Sequence, residues 1–336
     1  MGLLKSNLIT LAGGVSTPTG DPTLKLDLEF SSMTALPASV TFTRASVATY
    51  FDQNGALQTA LANVARFDHD PVTLEPLGLL IEAATTNSLL NSAAPGTQGV
   101  TVTAAPWTLS FYGTGSVALS GAYVGTLVGT GPFPARASLT FTPTAGTLTL
   151  TVTGSVTYAQ LELGPDPTSY IATTAAPATR TVEVASMTGA NFSDWYNAPT
   201  GTFCIAARST AKPASGSTQY VFTFGADGTN FQNVNLYSEV VVYLGAYTVS
   251  AQPSITIGTI AAKARFQAAF NYVEGDKRGS LNGAGVVSDA YTLGPATKLS
   301  FGATQTGSVT GGLAVASLKY YNVAKSNAEL IDLTTP

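Results

Sequence analysis

The chain has 336 residues, enough for two or three domains at the usual span of roughly 100–200 residues each. Only 10% of them are charged, the net charge is −4, and there is one histidine and one cysteine. That balance excludes an electrostatic nucleic-acid binder, an intrachain disulfide and a multi-histidine zinc site. Residues 1–24 read as an arm. Leu3, Leu4, Leu8, Ile9 and Leu11 are apolar, but Gly13-Gly14 and the Pro/Thr/Gly/Asp cluster up to Pro22 cannot build a core. The arm is expected to dock on a neighbouring protein or a sister subunit; the alternative is that it folds back along its own domain. Met1 to Gly14 lacks the small-residue cleavage site of a secretion signal, and no apolar run approaches the ~18 residues of a membrane span.

Lys25 to Phe30 alternates charged and apolar residues, the pattern of a half-buried strand. Thr41-Phe42-Thr43 and Ala48 to Phe51 are β-prone, and Asp52-Gln53-Asn54-Gly55 ends in the pair that most readily makes a tight hairpin turn. Asp68-His69-Asp70-Pro71 is a second turn cluster, and Leu77 to Ile81 reads as a short buried strand. Beyond Asn91, Trp107, Leu109 and Phe111 share a strand face, as do Leu139 with Phe141, Leu148, Leu150 with Val152, and Ala159, Leu161 with Leu163. Short strands between Gly/Pro turns predict a jelly-roll-like sandwich.

Three blocks in this region resemble a module of bacteriophage tail-fibre and minor structural proteins. They are Phe42 to Asp52, Arg66 to Pro71, and Leu77 to Glu82 with Thr86-Asn87, spread over about fifty residues. Ala159 to Glu162, Gly164 and Thr168 to Ile171 with Thr173 match a further phrase of the same proteins, where it closes a carbohydrate-binding-like jelly roll. The resemblance implies a virion component, assembled in the host cytoplasm. The stretch from Asn91 to Tyr158 is short for the long ligand loops of glycan-binding versions.

Thr173 to Pro177, extended to Arg180, reads as a linker. After it the strands lengthen: Phe203, Ile205 and Ala207 share a face, as do Tyr220, Phe222 and Phe224, the run Ala264, Phe266, Ala268, Phe270 and Tyr272, and the set Ala314, Ala316, Leu318 and Tyr320. Trp195-Tyr196 before Gly201-Thr202-Phe203, the turn Leu281-Asn282-Gly283 and the closing Leu318 to Leu330 resemble laminin-G-like or concanavalin-A-like sandwiches. Ser326-Asn327-Ala328-Glu329 has capping-box spacing, so a helical turn or two should close the chain. The expected architecture is all-β, two sandwiches in series: an arm at 1–24, the module with a small jelly roll at 25–180, and a laminin-G-like sandwich at 181–336.

Few side chains in the chain offer chemistry. Asp68-His69-Asp70 admits a catalytic or metal reading, but Asp and Asp-Pro fix turns through side-chain-to-backbone bonds, and that reading is preferred. Glu274 and Asp276 flank Gly275, as in a solvated hairpin rather than a glycosidase pair. Asp227 and Asn230 offer oxygen ligands for Ca²⁺, with a plain turn as the alternative. Cys204 reads as a buried structural thiol. Trp195, Tyr196, Tyr237, Tyr243 and Tyr272, with Tyr247 and Tyr291, are candidate sugar-stacking rings, each also a candidate core residue.

The function expected from these observations is a non-catalytic virion protein, a tail fibre or adhesin contacting a host surface glycan or protein, with no membrane insertion. Such fibres form homotrimers, and sparse surface charge suits buried subunit faces. The alternatives are a head-decoration, collar or baseplate protein that cements its neighbours, and a polysaccharide depolymerase.

Overall fold

The structure, a computed structural model, describes residues 20–213, 217–238, 240–247, 254–290 and 293–336. The arm residues Leu3, Leu4, Leu8, Ile9 and Leu11 lie outside this set, as do Tyr291 and the side chain of Tyr247. Among the described residues the protein is all-β, with sheets layered into two sandwiches and the expected short helix, Asn327–Thr334, near the end of the chain. Ser326 caps that helix in both directions: its hydroxyl accepts from Glu329 N–H, and the Glu329 carboxylate accepts from Ser326 N–H.

The sandwiches are nested, which corrects the expected division at residue 180. One sheet of the larger sandwich runs, in spatial order, Val287–Asp289, Asp276–Leu281, Phe266–Val273, Thr200–Ala211, Gly312–Tyr321, Pro76–Glu82 and Phe67–His69, and Leu24–Leu28 also pairs with Gly312–Tyr321. The facing sheet runs Thr41–Thr43, Val184–Thr188, Lys298–Phe301, Thr218–Gly225, Phe231–Tyr237, Val241–Tyr247 and Ser254–Thr259. Strands before residue 83 therefore complete both sheets of the C-terminal half. Leu26, Leu79 and Ile81 share one core with Phe203, Phe222, Phe270 and Leu318.

The smaller sandwich is an insertion. The strand Thr85–Asn87 leads into it and Ala178–Arg180 leads out, and these two pair with each other, so entry and exit are adjacent. Its sheets are Gly125–Val128, Ser116–Gly121, Gly146–Thr153 and Gln98–Val102 against Gly131–Phe141, Trp107–Gly113 and Thr157–Leu163. Trp107, Leu109, Phe111, Leu148, Leu150 and Leu161 fill the space between them, as their alternation requires. Leu163, expected inward, ends its strand 57% exposed.

Two β-bulges explain where alternation misleads. An extra residue, Val221, lies between the pairs Tyr220–Asn235 and Phe222–Val234, so Val221, Phe222 and Phe224 face the core and Tyr220 does not. Ala316 is extra between the pairs Ala207–Val315 and Ala206–Ser317. The core side of that strand thus reads Leu313 and Val315, then Leu318 and Tyr320, instead of a single parity from Ala314. The Asn54-Gly55 hairpin and the Asn282-Gly283 turn form as expected, with φ of +72° at Gly55 and +73° at Gly283. Gly78 in the third module block serves a different need. Its φ is +94°, and a Cβ there would stand 2.1 Å from the Val315 carbonyl oxygen of the neighbouring strand.

Candidate functional site

Three charged residues of the module blocks, Arg44, Arg66 and Glu82, converge at the seam between the sandwiches. Arg44, Arg66, Arg180, Glu82 and Glu183 are all essentially buried. Arg44 Nη1 donates to Glu183 Oε1 at 2.6 Å. Arg66 Nε donates to the same oxygen at 2.8 Å, and its Nη2 reaches Glu82 Oε2 at 2.8 Å and also Glu183 Oε2. Arg180 Nη1 lies 3.2 Å from Glu82 Oε2. Ser169, on the segment leaving the insert, donates its N–H and its hydroxyl to Glu82 at 2.9 and 2.5 Å.

Burial pushes the Glu82 carboxyl up, but Arg180 and Arg66 outweigh it and hold the group at about 2. Burial likewise pulls the Arg66 guanidinium down, and Glu183 and Glu82 return it above its ordinary value. Buried ion pairs of this sort add little net stability over apolar packing but penalise any arrangement that separates them. The module signature is therefore a seam: it fixes how the chain passes between one sandwich and the other. Sequence spacing marks the three blocks but does not show that their charged residues meet.

Beside this network lies a cavity of about 140 Å3 walled by both sandwiches. Asp68 and Thr210 come from the larger one, Tyr112 and Arg136 from the insert. Asp68 Oδ1 accepts from Phe51 N–H at 2.8 Å, and burial pushes its carboxyl up to about 7 against the opposing pull of that N–H and of Arg66. The turn role expected for the acidic triplet falls to Asp70 alone, which accepts from Val72 and Thr73 N–H at 2.9 and 2.8 Å. His69 Nδ1 sits 3.3 Å from the Phe51 carbonyl oxygen. Arg136 was missed as a site residue because it belongs to no recognisable local motif, and Asp68, weighed within the acidic triplet, was assigned to a turn.

The candidate sugar-binding rings separate into two groups. Trp195 and Tyr272 are core residues, 7% and 0% exposed, which corrects their assignment as contact residues. Trp195 Nε1 donates to the Asn191 carbonyl at 2.7 Å, and the Tyr272 hydroxyl donates to Asn197 O at 2.7 Å and meets Tyr320 Oη at 2.8 Å. Tyr196 stacks on Tyr272 with ring centres 5.7 Å apart and is partly buried against the same core. Burial is also the reason its hydroxyl is pushed up. The polar tips thus satisfy one another inside the sandwich.

Tyr237 and Tyr243 lie instead on the outward face of the seven-stranded sheet, 6.5 Å apart and edge to face. Their inward neighbours Val234, Leu236, Val242 and Leu244 fill the core. Across this outer face run two transverse polar rows, Ser186–Ser300–Thr223–Asn233–Gly245 and Tyr220–Asn235–Tyr243–Thr256. Asn235 Nδ2 donates to Asn233 Oδ1 at 2.5 Å, while Asn233 Nδ2 is buried without a partner. Gly245 makes room for that side chain: a Cβ there would meet the Asn233 amide at 2.7 Å. Asn233 and Asn235 are 1% and 7% exposed, so the surface a ligand can reach here is the Tyr237 ring, 43% exposed.

Asp227 Oδ1 accepts from Thr229 N–H, Thr229 Oγ1 and Asn230 N–H at 2.8, 2.7 and 2.9 Å, so the proposed Ca²⁺ ligands Asp227 and Asn230 build a self-contained turn. Glu274 accepts from Leu293 N–H and Asp276 pairs with Arg278 at 2.8 Å in an exposed hairpin. Cys204 is buried, its thiol pushed up to about 12 by desolvation, and it donates to the Leu333 carbonyl at 3.3 Å.

No family model and no curated protein sequence matches the chain. Among solved structures it is similar to the CBM40 module of a Ruminococcus gnavus IT-sialidase bound to alpha2,3 sialyllactose, at 16% identity and a TM-score of 0.36, over 42% of this chain and 84% of that one. It is also similar to the binding domain of botulinum neurotoxin DC in complex with SialylT, at 8% identity and a TM-score of 0.36, over 45% of this chain and 39% of that one. The leech intramolecular trans-sialidase gives 16% identity and 0.35, over 41% and 23%. At these scores nothing about the ligands of those proteins transfers to this chain.

Proposed function

We propose that the protein is a non-catalytic component of a bacteriophage particle that binds a host-surface glycan through the outer face of the seven-stranded sheet. The observation that carries the binding half is the edge-to-face Tyr237–Tyr243 ring pair on that face, with Tyr237 43% exposed. The phage half rests on the ordered sequence blocks, and the convergence of Arg44, Arg66 and Glu82 on one seam gives those blocks a common physical purpose. Adsorption of the purified chain to host cells and to a glycan array tests the binding half. Binding that survives the Tyr237→Ala/Tyr243→Ala double substitution would refute it. Detecting the chain in purified virions tests the phage half.

A second reading, cementing of neighbouring virion subunits, is favoured by one feature of the module. Val47, Leu61, Val64, Val72 and Leu74 are all exposed within it, from 45% to 71%. Surfaces of this composition are stabilised by a partner. A homotrimer would use this region; the mass of the chain in solution, with and without Val72→Glu and Leu61→Glu, decides between the two.

A further inference from the structure

The seam cavity holds buried polar atoms that the protein leaves unsatisfied. Arg136 places Nη1 on the Thr168 carbonyl at 2.6 Å and Nη2 on Ser110 Oγ at 2.8 Å, while its buried Nε–H has no partner. Thr210 Oγ1, contributed by the larger sandwich, is likewise buried and unpartnered. Asp68 commits one oxygen to Phe51 N–H, and a carboxyl group has further lone-pair positions to offer. Buried polar groups are normally satisfied, so a cavity walled by two unsatisfied ones is prepared for an occupant.

The volume and the charges select that occupant. About 140 Å3 is close to the roughly 150 Å3 of an engineered cavity that accepts a benzene ring, so the frame of one six-membered ring fits with its outer hydroxyls at the open mouth. Glu82 in the wall is already paired with Arg66 and Arg180, which leaves Asp68 to balance Arg136, so the wall favours an uncharged occupant. Phe51 and Tyr112 add flat apolar surface. An uncharged ring bearing several hydroxyls matches donors, acceptors and ring faces together.

We propose that this cavity binds a single neutral sugar ring, or a cyclic polyol of the same size, between the two sandwiches. Asp68 accepts from ligand hydroxyls, Arg136 Nε–H and Thr210 donate to them, and Tyr112 lies against the ring. The site shares no residue with the Tyr237–Tyr243 face and stands independently of it.

The test titrates the full chain with methyl glucoside, methyl galactoside and myo-inositol, read by saturation-transfer NMR and calorimetry. Asp68→Asn, Thr210→Val and Tyr237→Ala/Tyr243→Ala are measured beside it. Saturable millimolar binding of at least one probe is expected, weakened about tenfold by Asp68→Asn, clearly weakened by Thr210→Val, and unchanged in the tyrosine variant. Thr210 has no partner to lose, so its valine variant keeps the test decisive even where Asp68→Asn unfolds. Absence of saturable binding by all three probes means the cavity holds only water and overturns the proposal. Binding that is lost in the tyrosine variant and intact in both cavity variants overturns it equally, by assigning the sugar to the outer face.

Discussion

Arg66 and Glu183, 117 residues apart in the chain, meet as a two-bonded pair with no solvent exposure on either side chain. Glu183 also accepts from Arg44, so one carboxylate ties together two blocks of the module. Removing its charge leaves the buried Arg44 without a carboxylate and Arg66 sharing Glu82 with Arg180. Glu183→Gln is expected to lose about 3–5 kcal/mol of stability in urea denaturation, as breaking buried pairs does. The exposed pair Arg265–Glu75, 3.3 Å apart, provides the contrast: Arg265→Ala should change stability by less than about 1 kcal/mol.

Stability should depend on pH in two opposite senses. Asp68 is raised from an ordinary 3.8 to about 7, so between those values the folded protein holds a proton that the unfolded chain has released. Its contribution is fully present below about 3.8 and is lost as pH rises toward 7, at most about 4 kcal/mol. Glu82 is lowered from 4.5 to about 2, so its contribution is present above 4.5 and lost as pH falls toward 2. Unfolding curves at a series of pH values should show a neutral-side decline that Asp68→Asn flattens; an unchanged slope in that variant would contradict the assignment.

Residues 181–336 alone should not fold. The strand Gly312–Tyr321 would lose its partners Leu24–Leu28 and Pro76–Glu82, and the core would lose Leu26, Leu79 and Ile81. The fragment is expected to be aggregated or to lack near-UV circular dichroism, whereas the chain from residue 20 gives a cooperative transition.

Tyrosine substitutions should separate surface from core. Tyr237→Ala and Tyr243→Ala are expected to lower glycan or cell binding at a stability cost within about 1 kcal/mol. Trp195→Ala and Tyr272→Ala should each cost about 3–5 kcal/mol, because they open a cavity among Phe203, Phe224 and Tyr320. Thermal melts run beside the binding assay distinguish the two outcomes.

Alternation of apolar residues marked many of the strands, such as Trp107–Gly113, Gly146–Thr153 and Phe266–Val273, though not Phe231–Tyr237 or Val241–Tyr247, and local residue chemistry marked the two hairpin turns and the capped C-terminal helix. These are local properties: side-chain direction repeats every two residues, and turn and cap geometry is set by the residues within it. Only the tertiary structure decided which strands pair, that Pro76–Glu82 lies beside Gly312–Tyr321 and not within a first domain, and that Trp195 and Tyr272 face inward while Tyr237 and Tyr243 face out. The bulges at Val221 and Ala316 show why, since one extra residue reverses every later side chain without leaving a mark in composition. The buried charges depend on the same long-range pairing: Arg44, Arg66 and Glu82 stand in their blocks as ordinary polar residues until Glu183 and Arg180 are brought against them.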